Sequence, residues 1–392
     1  MQYIDEINLA GKRVFIRVDF NVDRDKEGNI TDDSRIRASL PTLQYALDRK
    51  SKVILASHLG RPKGQRDVQF SLVKVAERLS EILKKDVILP EDCIGDAVRK
   101  LAYDLKEGGV MLLENLRFHQ EESDNEKAFS KELADLAEVY INDSFGTLHR
   151  AHASVSGMVN YFREKAAGFL VKNELEHLNR LLKNPERPFF AILGGAKVSD
   201  KIGVIENLLN KVQGLILGGG LAFTFLRVQG FSIGNSRFEE EKIFIAKKIL
   251  EKARERNIPV FLPLDHAMAQ STDLGVAVRQ SDGADVLEGW MGLDIGPKTI
   301  EKYQEVIRKA KTIFWNGPMG YFENPDFIKG SKAVAEAVID SGATSIVGGG
   351  QSVSVLQQLG LSGKITHVST GGGASLQYIE GKELPGLVAL EN

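Results

Sequence analysis

The protein has 392 residues, 43% of them hydrophobic, which is enough for two full cores or one large one. Its 51 basic and 53 acidic residues nearly balance, which argues against a nucleic-acid or membrane-surface protein and requires any anion site to be local. The single cysteine, Cys93, excludes an internal disulfide. With no signal-peptide pattern and no apolar run near the roughly 20 residues of a membrane span, we expect a cytoplasmic protein.

Short apolar segments alternate with helical patterns in the first half of the chain. The segments run over 14–18, 53–56, 110–113 and 139–141, and apolar residues at helical spacing occupy positions 36, 40, 43 and 47 between the first two. This alternation is typical of a parallel sheet covered by helices on both faces. The first half therefore predicts an α/β unit.

Basic residues lie beside the predicted turns of this half. Arg17, Asp19 and Asn21 alternate along the first strand and its exit, so we expect their side chains to share a face. Four arginines lie in or beside strand-to-helix turns, two of them accompanied by His58 and His152: Arg35, Arg61, Arg117 and Arg150. One such arginine is ordinarily a solvated surface charge. Four with the same placement predict a basic basin at the carboxyl edge of the sheet, suited to a small, multiply anionic ligand.

A helical pattern over 171–183 separates the two halves of the chain. Leu175, Leu178 and Leu182 recur at helical spacing within it, and Pro185 follows. We interpret the pattern as a connecting helix and place a domain boundary near Gly168. The alternative is an ordinary surface helix of one larger sheet.

Four glycine clusters characterise the second half, each directly after a short apolar or β-branched segment. These segments run over 189–193, 215–217, 345–347 and 367–370, with further strands predicted at 259–262 and 312–315. The clusters are Gly194-Gly195, Gly218-Gly219-Gly220, Gly348-Gly349-Gly350 and Gly371-Gly372-Gly373. Glycine after a buried strand lets backbone amides approach a phosphate, and the next helix adds its positive N-terminal end. One cluster would indicate a tight turn. Four, with Lys197 and Lys201 at helical spacing after the first, predict a nucleotide site assembled from several strand ends.

Several familiar motifs are absent. No Gly-Lys pair has the flanking residues of a Walker sequence, and no glycine cluster has the dinucleotide-binding spacing, which argues against an oxidoreductase. The Gly-Phe-Ser-Ile-Gly run at 230–234 follows a predicted helix rather than a strand, so we expect a loop rather than a hydrolase nucleophile. His149 and His152 lack a third ligand at a recognisable spacing, which argues against zinc.

Seven stretches carry a resemblance to a known family. They are Arg17-Val18-Asp19-Phe20-Asn21-Val22, Ser57-His58-Leu59-Gly60-Arg61-Pro62, Leu113-Glu114-Asn115-Leu116-Arg117-Phe118, Phe145-Gly146-Thr147 with His149-Arg150-Ala151-His152, Gly194-Gly195-Ala196-Lys197-Val198-Ser199-Asp200-Lys201, Trp315-Asn316-Gly317-Pro318 and Ser369-Thr370-Gly371-Gly372-Gly373. In this order and over essentially the whole length, the chain resembles the phosphoglycerate kinases.

The resemblance implies an α/β enzyme of two Rossmann-like lobes, each a parallel sheet flanked by helices, joined by a hinge helix. The implied bounds are 1–168 for a phosphoglycerate-binding lobe, 169–373 for a nucleotide-binding lobe that begins with the connecting helix, and 374–392 for a tail that returns to the first lobe. The implied reaction is reversible phosphoryl transfer from 1,3-bisphosphoglycerate to ADP, giving 3-phosphoglycerate and ATP, in glycolysis and gluconeogenesis. We expect a monomer that transfers the group in line, without a phosphoenzyme, after hinge closure.

The resemblance also implies three groups of site residues. Phosphoglycerate is expected at Asp19, Asn21, Arg35, His58, Arg61, Arg117 and Arg150. The nucleotide is expected at Gly195, Ala196, Lys197, Lys201, Gly218, Gly219, Gly220, Asn316, Glu323, Gly348, Gly349, Gly350, Gln351 and Ser352, with Glu323 accepting from the ribose hydroxyls. The transferring group is expected to be surrounded by Arg35, Lys197, Lys201 and the amides of Gly371, Gly372 and Gly373.

Two residues depart from the family pattern. Asp23 stands where the family usually has proline, which predicts a local change of turn. Gln351 stands where the family usually has an aspartate that helps to hold the magnesium of the nucleotide. Mg²⁺ remains the expected cofactor, because it can bind through phosphates and water, but its protein ligands are left open. The alternatives are therefore a catalytically weakened relative that binds nucleotide and phosphoglycerate, or another double α/β enzyme such as a dehydrogenase or sugar kinase.

Overall fold

The computed structural model of the protein describes all residues, 1–392. The chain divides into two compact units, of which the first comprises Met1–Glu176 with Glu383–Asn392 and the second comprises His177–Lys382. None of the helices is both long enough and apolar enough to cross a membrane.

The first unit is built on a six-stranded parallel sheet in the order β5-β6-β4-β1-β7-β8. The strands of the unit are β1 (Arg13–Val18), β2 (Asp23–Arg24), β3 (Ile30–Asp32), β4 (Lys52–Ala56), β5 (Val87–Ile88), β6 (Val110–Leu112), β7 (Val139–Asp143) and β8 (Glu164–Ala167). Strands β2 and β3 form a separate two-stranded ribbon. The helices are α1 (Ser34–Ala38), α2 (Leu40–Asp48), α3 (Val73–Leu83), α4 (Asp96–Asp104), α5 (Gln120–Asp124), α6 (Lys127–Ala134) and α7 (Phe169–Lys183), the last of which continues into the second unit.

The core of this unit explains why the predicted strands form. Strands β4, β6 and β7 are almost wholly buried, as expected for central strands of a sheet that is covered on both faces. Ile16 and Leu55 pack with Leu43 and Leu79 of the covering helices, and burial of one such side chain contributes about 1.5–3 kcal/mol. The strand order reverses between β1 and β7, so the carboxyl ends of these two strands flank a crevice.

One predicted helix is interrupted. The apolar pattern at 36–47 belongs to two helices, α1 and α2, with Ser39 between them. Pro41 lies in the first turn of α2 and has no amide hydrogen to donate to the preceding turn, which explains the break.

The second unit is built on a six-stranded parallel sheet in the order β11-β10-β9-β15-β16-β17, beside a three-stranded antiparallel sheet in the order β13-β12-β14. The strands are β9 (Phe189–Leu193), β10 (Gly214–Leu217), β11 (Val260–Phe261), β12 (His266–Ala269), β13 (Arg279–Gln280), β14 (Met291–Ile295), β15 (Thr312–Asn316), β16 (Thr344–Gly348) and β17 (His367–Val368). The helices are α8 (Ile202–Leu208), α9 (Gly219–Val228), α10 (Ile243–Glu255), α11 (Pro297–Ile307), α12 (Lys329–Asp340), α13 (Gly350–Gln358) and α14 (Gly373–Ile379).

The larger sheet of this unit has the 3-2-1-4-5-6 strand order of dinucleotide-binding sheets. Its order reverses between β9 and β15, and ligands of open α/β sheets bind outside the carboxyl ends of the strands at such a point. All six predicted strands of this half are confirmed. The antiparallel strands β12 to β14 were not predicted, because they are short and only partly apolar.

A last helix, α15 (Pro385–Glu391), belongs to the first unit. The amide of Gly386 donates to the carbonyl of Leu148 at 2.9 Å, and Leu387 and Leu390 are buried. An added Cβ at Gly386 would lie 2.6 Å from the Leu148 side chain, so the close approach of this helix requires glycine.

Candidate functional site

A cavity of about 350 Å³ opens in the second unit beside the carboxyl ends of β9 and β15. Glycine-loop residues line part of it, and apolar and aromatic side chains such as Phe223, Leu293 and Tyr321 line another part. A cavity of this size and lining is typical of sites for small ligands. The combination of glycine loops and aromatic surface suits the phosphates and the base of a nucleotide.

Two loops at the reversal of strand order are joined by backbone hydrogen bonds. The amide of Gly194 donates to the carbonyl of Asn316 at 2.9 Å, and that of Gly195 donates to the carbonyl of Pro318 at 2.9 Å. A third loop joins them, since the amide of Gly219 donates to the carbonyl of Met319 at 3.0 Å. The loops after β9, β10 and β15 therefore form one rigid floor for the cavity.

Gly219 has a strict structural requirement at this junction. Its φ of +64° lies in the left-handed region, and an added Cβ would come within 2.8 Å of the Gly195 backbone and of the Pro318 carbonyl. Helix α9 begins at the same residue, so the positive end of its dipole lies at the cavity, while the Gly219 and Leu221 amides are paired with the Met319 and Gly195 carbonyls. The geometry favours an anionic group there.

The Asn316 side chain connects three of the loops. Its Oδ1 accepts a hydrogen bond from Nζ of Lys201, and its Nδ2 donates to the carbonyl of Gly348 at 2.6 Å. Next to it, the amide of Gly317 donates to Oγ of the buried Ser352 at 2.6 Å. Burial lowers the pKa of Lys201 below its ordinary value, so its positive charge is held at a partly desolvated position.

The structure brings many of the predicted nucleotide residues together. Those that line the cavity are Gly195, Ala196, Gly219, Gly220, Glu323 and Gln351. Lys201, Asn316, Gly348 and Ser352 are joined by the hydrogen bonds just described, while Gly218 caps α9, and Gly349 and Gly350 lie at the start of α13. Phe223, Leu293 and Tyr321 were not predicted as lining residues, because nothing in their local sequence marks them.

Two expectations for this half need comment. Lys197 and Lys201 do not share a helix: α8 begins at Ile202, and both lysines lie in the loop before it, where Lys197 is exposed. The four-residue spacing between these lysines therefore did not indicate a helix. Gly371, Gly372 and Gly373 lie after β17 at the start of α14 and do not line the cavity.

A group of basic residues lies in the first unit, on loops at the carboxyl ends of β1, β4 and β6 and on α1. Arg35 of α1 forms an ion pair with Asp19, which follows β1. The amide of Gly60, after β4, donates to Oδ1 of Asn21 at 2.8 Å, and the Gly60 carbonyl accepts from Arg117 at 2.8 Å. These contacts tie together three of the predicted turns.

The charges of this basin act on its histidines and arginines. Burial, followed by the charges of Arg17 and Arg117, holds the pKa of His58 well below its ordinary value. Burial together with the same arginines and Arg150 lowers the pKa of His152 to about 4. Burial, followed by the charges of Arg150 and Arg17, lowers the pKa of Arg117 to about 10. Both histidines are therefore neutral at pH 7, and the excess positive charge favours an anionic ligand.

The remaining predicted residues of this half have looser surroundings. Arg61 is exposed, and Arg150 is partly exposed beside the other arginines, whose pKa values its charge lowers. Two buried residues next to the basin, Glu122 and Ser154, were not predicted. They lie 32 positions apart and meet only in the fold, so local sequence gives no signal for the pair.

The suitability of the cavity for a nucleotide-borne magnesium ion depends on Gln351. This residue lies at the start of α13, and its Oε1 would be 3.7 Å from a Cβ at Gly195, so a side-chain oxygen is present beside the first glycine loop. An amide oxygen is a neutral, hard donor that Mg²⁺ accepts in combination with phosphates and water. The Gln351 oxygen is therefore compatible with the ion, although an amide is a weaker donor to Mg²⁺ than a carboxylate.

A glycine-loop cavity on one sheet and an arginine basin on another are the arrangement expected of a phosphotransferase with two anionic substrates. The family model described as phosphoglycerate kinase matches residues 4–382. Curated relatives of that name include one from Anaeromyxobacter sp. (strain Fw109-5), 54% identical with 100% of this chain and 99% of the relative covered, and one from Clostridium botulinum (strain Hall / ATCC 3502 / NCTC 13319 / Type A), 50% identical with 99% and 98% covered.

Solved structures agree with these relatives. The phosphoglycerate kinase of Coxiella burnetii superposes with a TM-score of 0.90 at 40% identity, covering 99% of this chain and 98% of that one. That of Pyrococcus horikoshii OT3 superposes with a TM-score of 0.85 at 34% identity, covering 100% and 98%. The chain belongs to the phosphoglycerate kinase family, whose members are glycolytic phosphotransferases.

Proposed function

We propose that this chain transfers a phosphoryl group reversibly from the acyl phosphate of 1,3-bisphosphoglycerate to ADP, giving 3-phosphoglycerate and ATP. The proposal rests mainly on one observation. Asn316 links Lys201 to the glycine loop at Gly348, beside the cavity and at the point where the strand order reverses. Its family membership and its arginine basin support the choice of phosphoglycerate as the second ligand. A glycolytic role, with one buried free cysteine, fits a cytoplasmic enzyme, and we propose that it acts as a monomer.

The two ligands are assigned to separate sets of residues. Phosphoglycerate is held by the first unit, with Arg35, His58 and Arg117 among its donors. The nucleotide is held by the second unit, with its phosphates on the glycine loops and its ribose at Glu323. Direct transfer requires the acyl phosphate and the nucleotide to meet, so binding of both is proposed to bring the lobes together, with α7 as the hinge.

The chemistry asked of the protein is positioning and neutralisation of charge. A phosphoryl group in flight spreads negative charge over its oxygens, and cationic side chains and backbone amides stabilise that charge without a covalent intermediate. Arg35, Lys197, Lys201 and the amides of 371–373 are proposed to supply this stabilisation. Mg²⁺ on the nucleotide phosphates would supply further neutralisation, and Gln351 is the side chain proposed to contact it.

A coupled assay of ATP formation from 1,3-bisphosphoglycerate and ADP tests the proposal directly. We expect turnover that depends on both substrates and on Mg²⁺, and no transfer of label to the protein when one substrate is omitted. Binding of both ligands without turnover would instead support the weakened relative, for which the neutral Gln351 is the one specific observation. Failure to bind 3-phosphoglycerate would exclude both.

A further inference from the structure

A carboxylate is completely buried beside the arginine basin. Glu122 of α5 accepts two hydrogen bonds from Ser154, one from the hydroxyl at 2.6 Å and one from the backbone amide at 2.9 Å. Ser154 lies in a π-helical segment, Ala153–Gly157, whose position is further fixed by the hydroxyl of Tyr140 donating to the Ser154 carbonyl at 2.9 Å. Burying a carboxylate is unfavourable unless its oxygens are satisfied, and here Ser154 satisfies both.

The hydroxyl of Ser154 links this carboxylate to an arginine. Because its hydrogen is donated to Glu122, the oxygen is left as an acceptor, and Nε of Arg17 donates to it at 2.9 Å. Arg17 is itself buried, with only 1% of its surface exposed, and its guanidinium also donates to the carbonyl of Val18. One hydroxyl group therefore separates Glu122 from Arg17, and the charge of Glu122, like that of Asp19, favours the charged form of Arg17.

Arg17 in turn determines which nitrogen of His58 carries the proton. Its Nη2 atom lies 3.2 Å from Nδ1 of His58. A guanidinium has donors only, so Nδ1 must accept, and a neutral imidazole then carries its hydrogen on Nε2. His58 is neutral because burial and the neighbouring arginines lower its pKa.

We propose that Glu122 is a positioning residue of the phosphoglycerate site: through Ser154 and Arg17 it holds His58 as the Nε2–H tautomer, which donates to an anionic oxygen of the ligand. The identity of that ligand rests on the proposed function, whereas the hydrogen-bond chain does not. In this arrangement His58 contributes a donor without adding another charge to the arginines. His152, whose Nδ1 is 3.8 Å from the Glu122 carboxylate, is too distant to replace Ser154 as the direct partner.

A purely structural role for Glu122 is the competing interpretation, since it also fastens the Ala153–Gly157 segment to α5. The two roles differ in what they predict for a variant that remains folded. A fastening role affects the melting temperature alone. A positioning role changes the tautomer of His58 and the affinity for phosphoglycerate, while the affinity for nucleotide stays constant.

The test compares Glu122→Gln and Ser154→Ala with the wild type and with Glu121→Gln, a matched control at an exposed position of the same helix. Nitrogen-15 NMR reports the His58 tautomer, with the signals assigned from a His58→Gln spectrum. Calorimetry reports the binding of 3-phosphoglycerate and of ATP. We expect the Nε2–H pattern in the wild type and the control, and a mixed tautomer in both variants. Loss of these hydrogen bonds should weaken the affinity for 3-phosphoglycerate about tenfold, which corresponds to one hydrogen bond to a charged group.

The proposal is overturned if folded Glu122→Gln and Ser154→Ala proteins keep both the Nε2–H pattern and the wild-type affinity. If Glu122→Gln does not fold, Ser154→Ala decides alone, since it retains the carboxylate with its backbone-amide hydrogen bond and removes the hydroxyl that joins Glu122 to Arg17. A wild type that shows the Nε2–H tautomer but does not bind 3-phosphoglycerate would refute the proposed function and the ligand contact of His58. The hydrogen bonds that link Glu122 to His58 would still stand.

Discussion

The ammonium group of Lys201 donates a hydrogen bond to Oδ1 of Asn316, across the point where the strand order of the second sheet reverses. Burial lowers the pKa of this lysine. If its charge is needed at the phosphates, activity should fall with rising pH before an ordinary lysine, with a pKa of about 10.4, would lose its proton. The relationship therefore connects a structural contact to a pH profile.

We expect Lys201→Arg to move the alkaline limb of activity to higher pH, because a guanidinium stays protonated throughout the accessible range. The measurement is kcat/KM for ADP from pH 7 to 10.5, whatever the absolute loss caused by the larger side chain. Lys247→Arg, at an exposed position of α10, is the control. Superimposable pH profiles for Lys201→Arg and the wild type would exclude Lys201 as the titrating group.

Removing the Arg35 guanidinium should lower turnover more than it weakens nucleotide binding. By analogy with arginines that stabilise phosphoryl transfer in other enzymes, Arg35→Ala should lose on the order of 10³-fold in kcat. Arg37→Ala, two residues along the same helix and paired with Asp33, should be nearly neutral. An unchanged kcat in Arg35→Ala would remove this residue from the group around the phosphoryl.

A carboxylate at position 351 should strengthen the magnesium site. We expect Gln351→Asp to lower the Mg²⁺ concentration for half-maximal activity, because it adds a charged hard ligand, and to leave the Michaelis constant for 3-phosphoglycerate unchanged. Gln358→Asp adds the same charge two turns along α13, at an exposed position, and serves as control. An equal or higher Mg²⁺ requirement in Gln351→Asp would show that this side chain is not a ligand.

Asp143 should make the first unit less stable as pH rises from about 4 to about 7. Burial raises the pKa of its carboxyl group to about 7, although Oδ1 accepts from the Leu170 amide at 2.9 Å at the start of α7. Between the unfolded and folded pKa values the folded state binds the extra proton, so stability is present at low pH and is lost on ionisation. Above pH 7 the loss is complete.

Asp143→Asn keeps a side-chain oxygen that can accept from the Leu170 amide, and it cannot ionise. Relative to wild type, its free energy of unfolding in urea should therefore improve by roughly 2–3 kcal/mol between pH 5 and pH 8. Asp86→Asn, at an exposed position, should show no such change. A constant difference between Asp143→Asn and the wild type at both pH values would contradict the raised pKa.

The sequence predicts the two parallel sheets because their central strands are continuous apolar runs, and it places the glycine loops because glycine directly follows those runs. It does not predict that Lys201 lies before a helix rather than in one, since spacing alone cannot distinguish a turn from a helix. Nor does it predict that Glu122 meets Ser154, because a buried carboxylate and its partner are brought together by packing that local patterns do not encode. The roles of the individual site residues stay predictions until the variants above are measured.

The first unit is formed from two pieces of chain, with the whole second unit inserted between them. During synthesis α15 leaves the ribosome only after His177–Lys382. Leu148 and its neighbours therefore remain uncovered by this helix until the second unit has been synthesised. The earlier half of the protein is thus completed last, and an enzyme truncated before Gly386 would lack a piece of the unit that was translated first. Completion of the first unit is therefore a late event in the synthesis of each molecule.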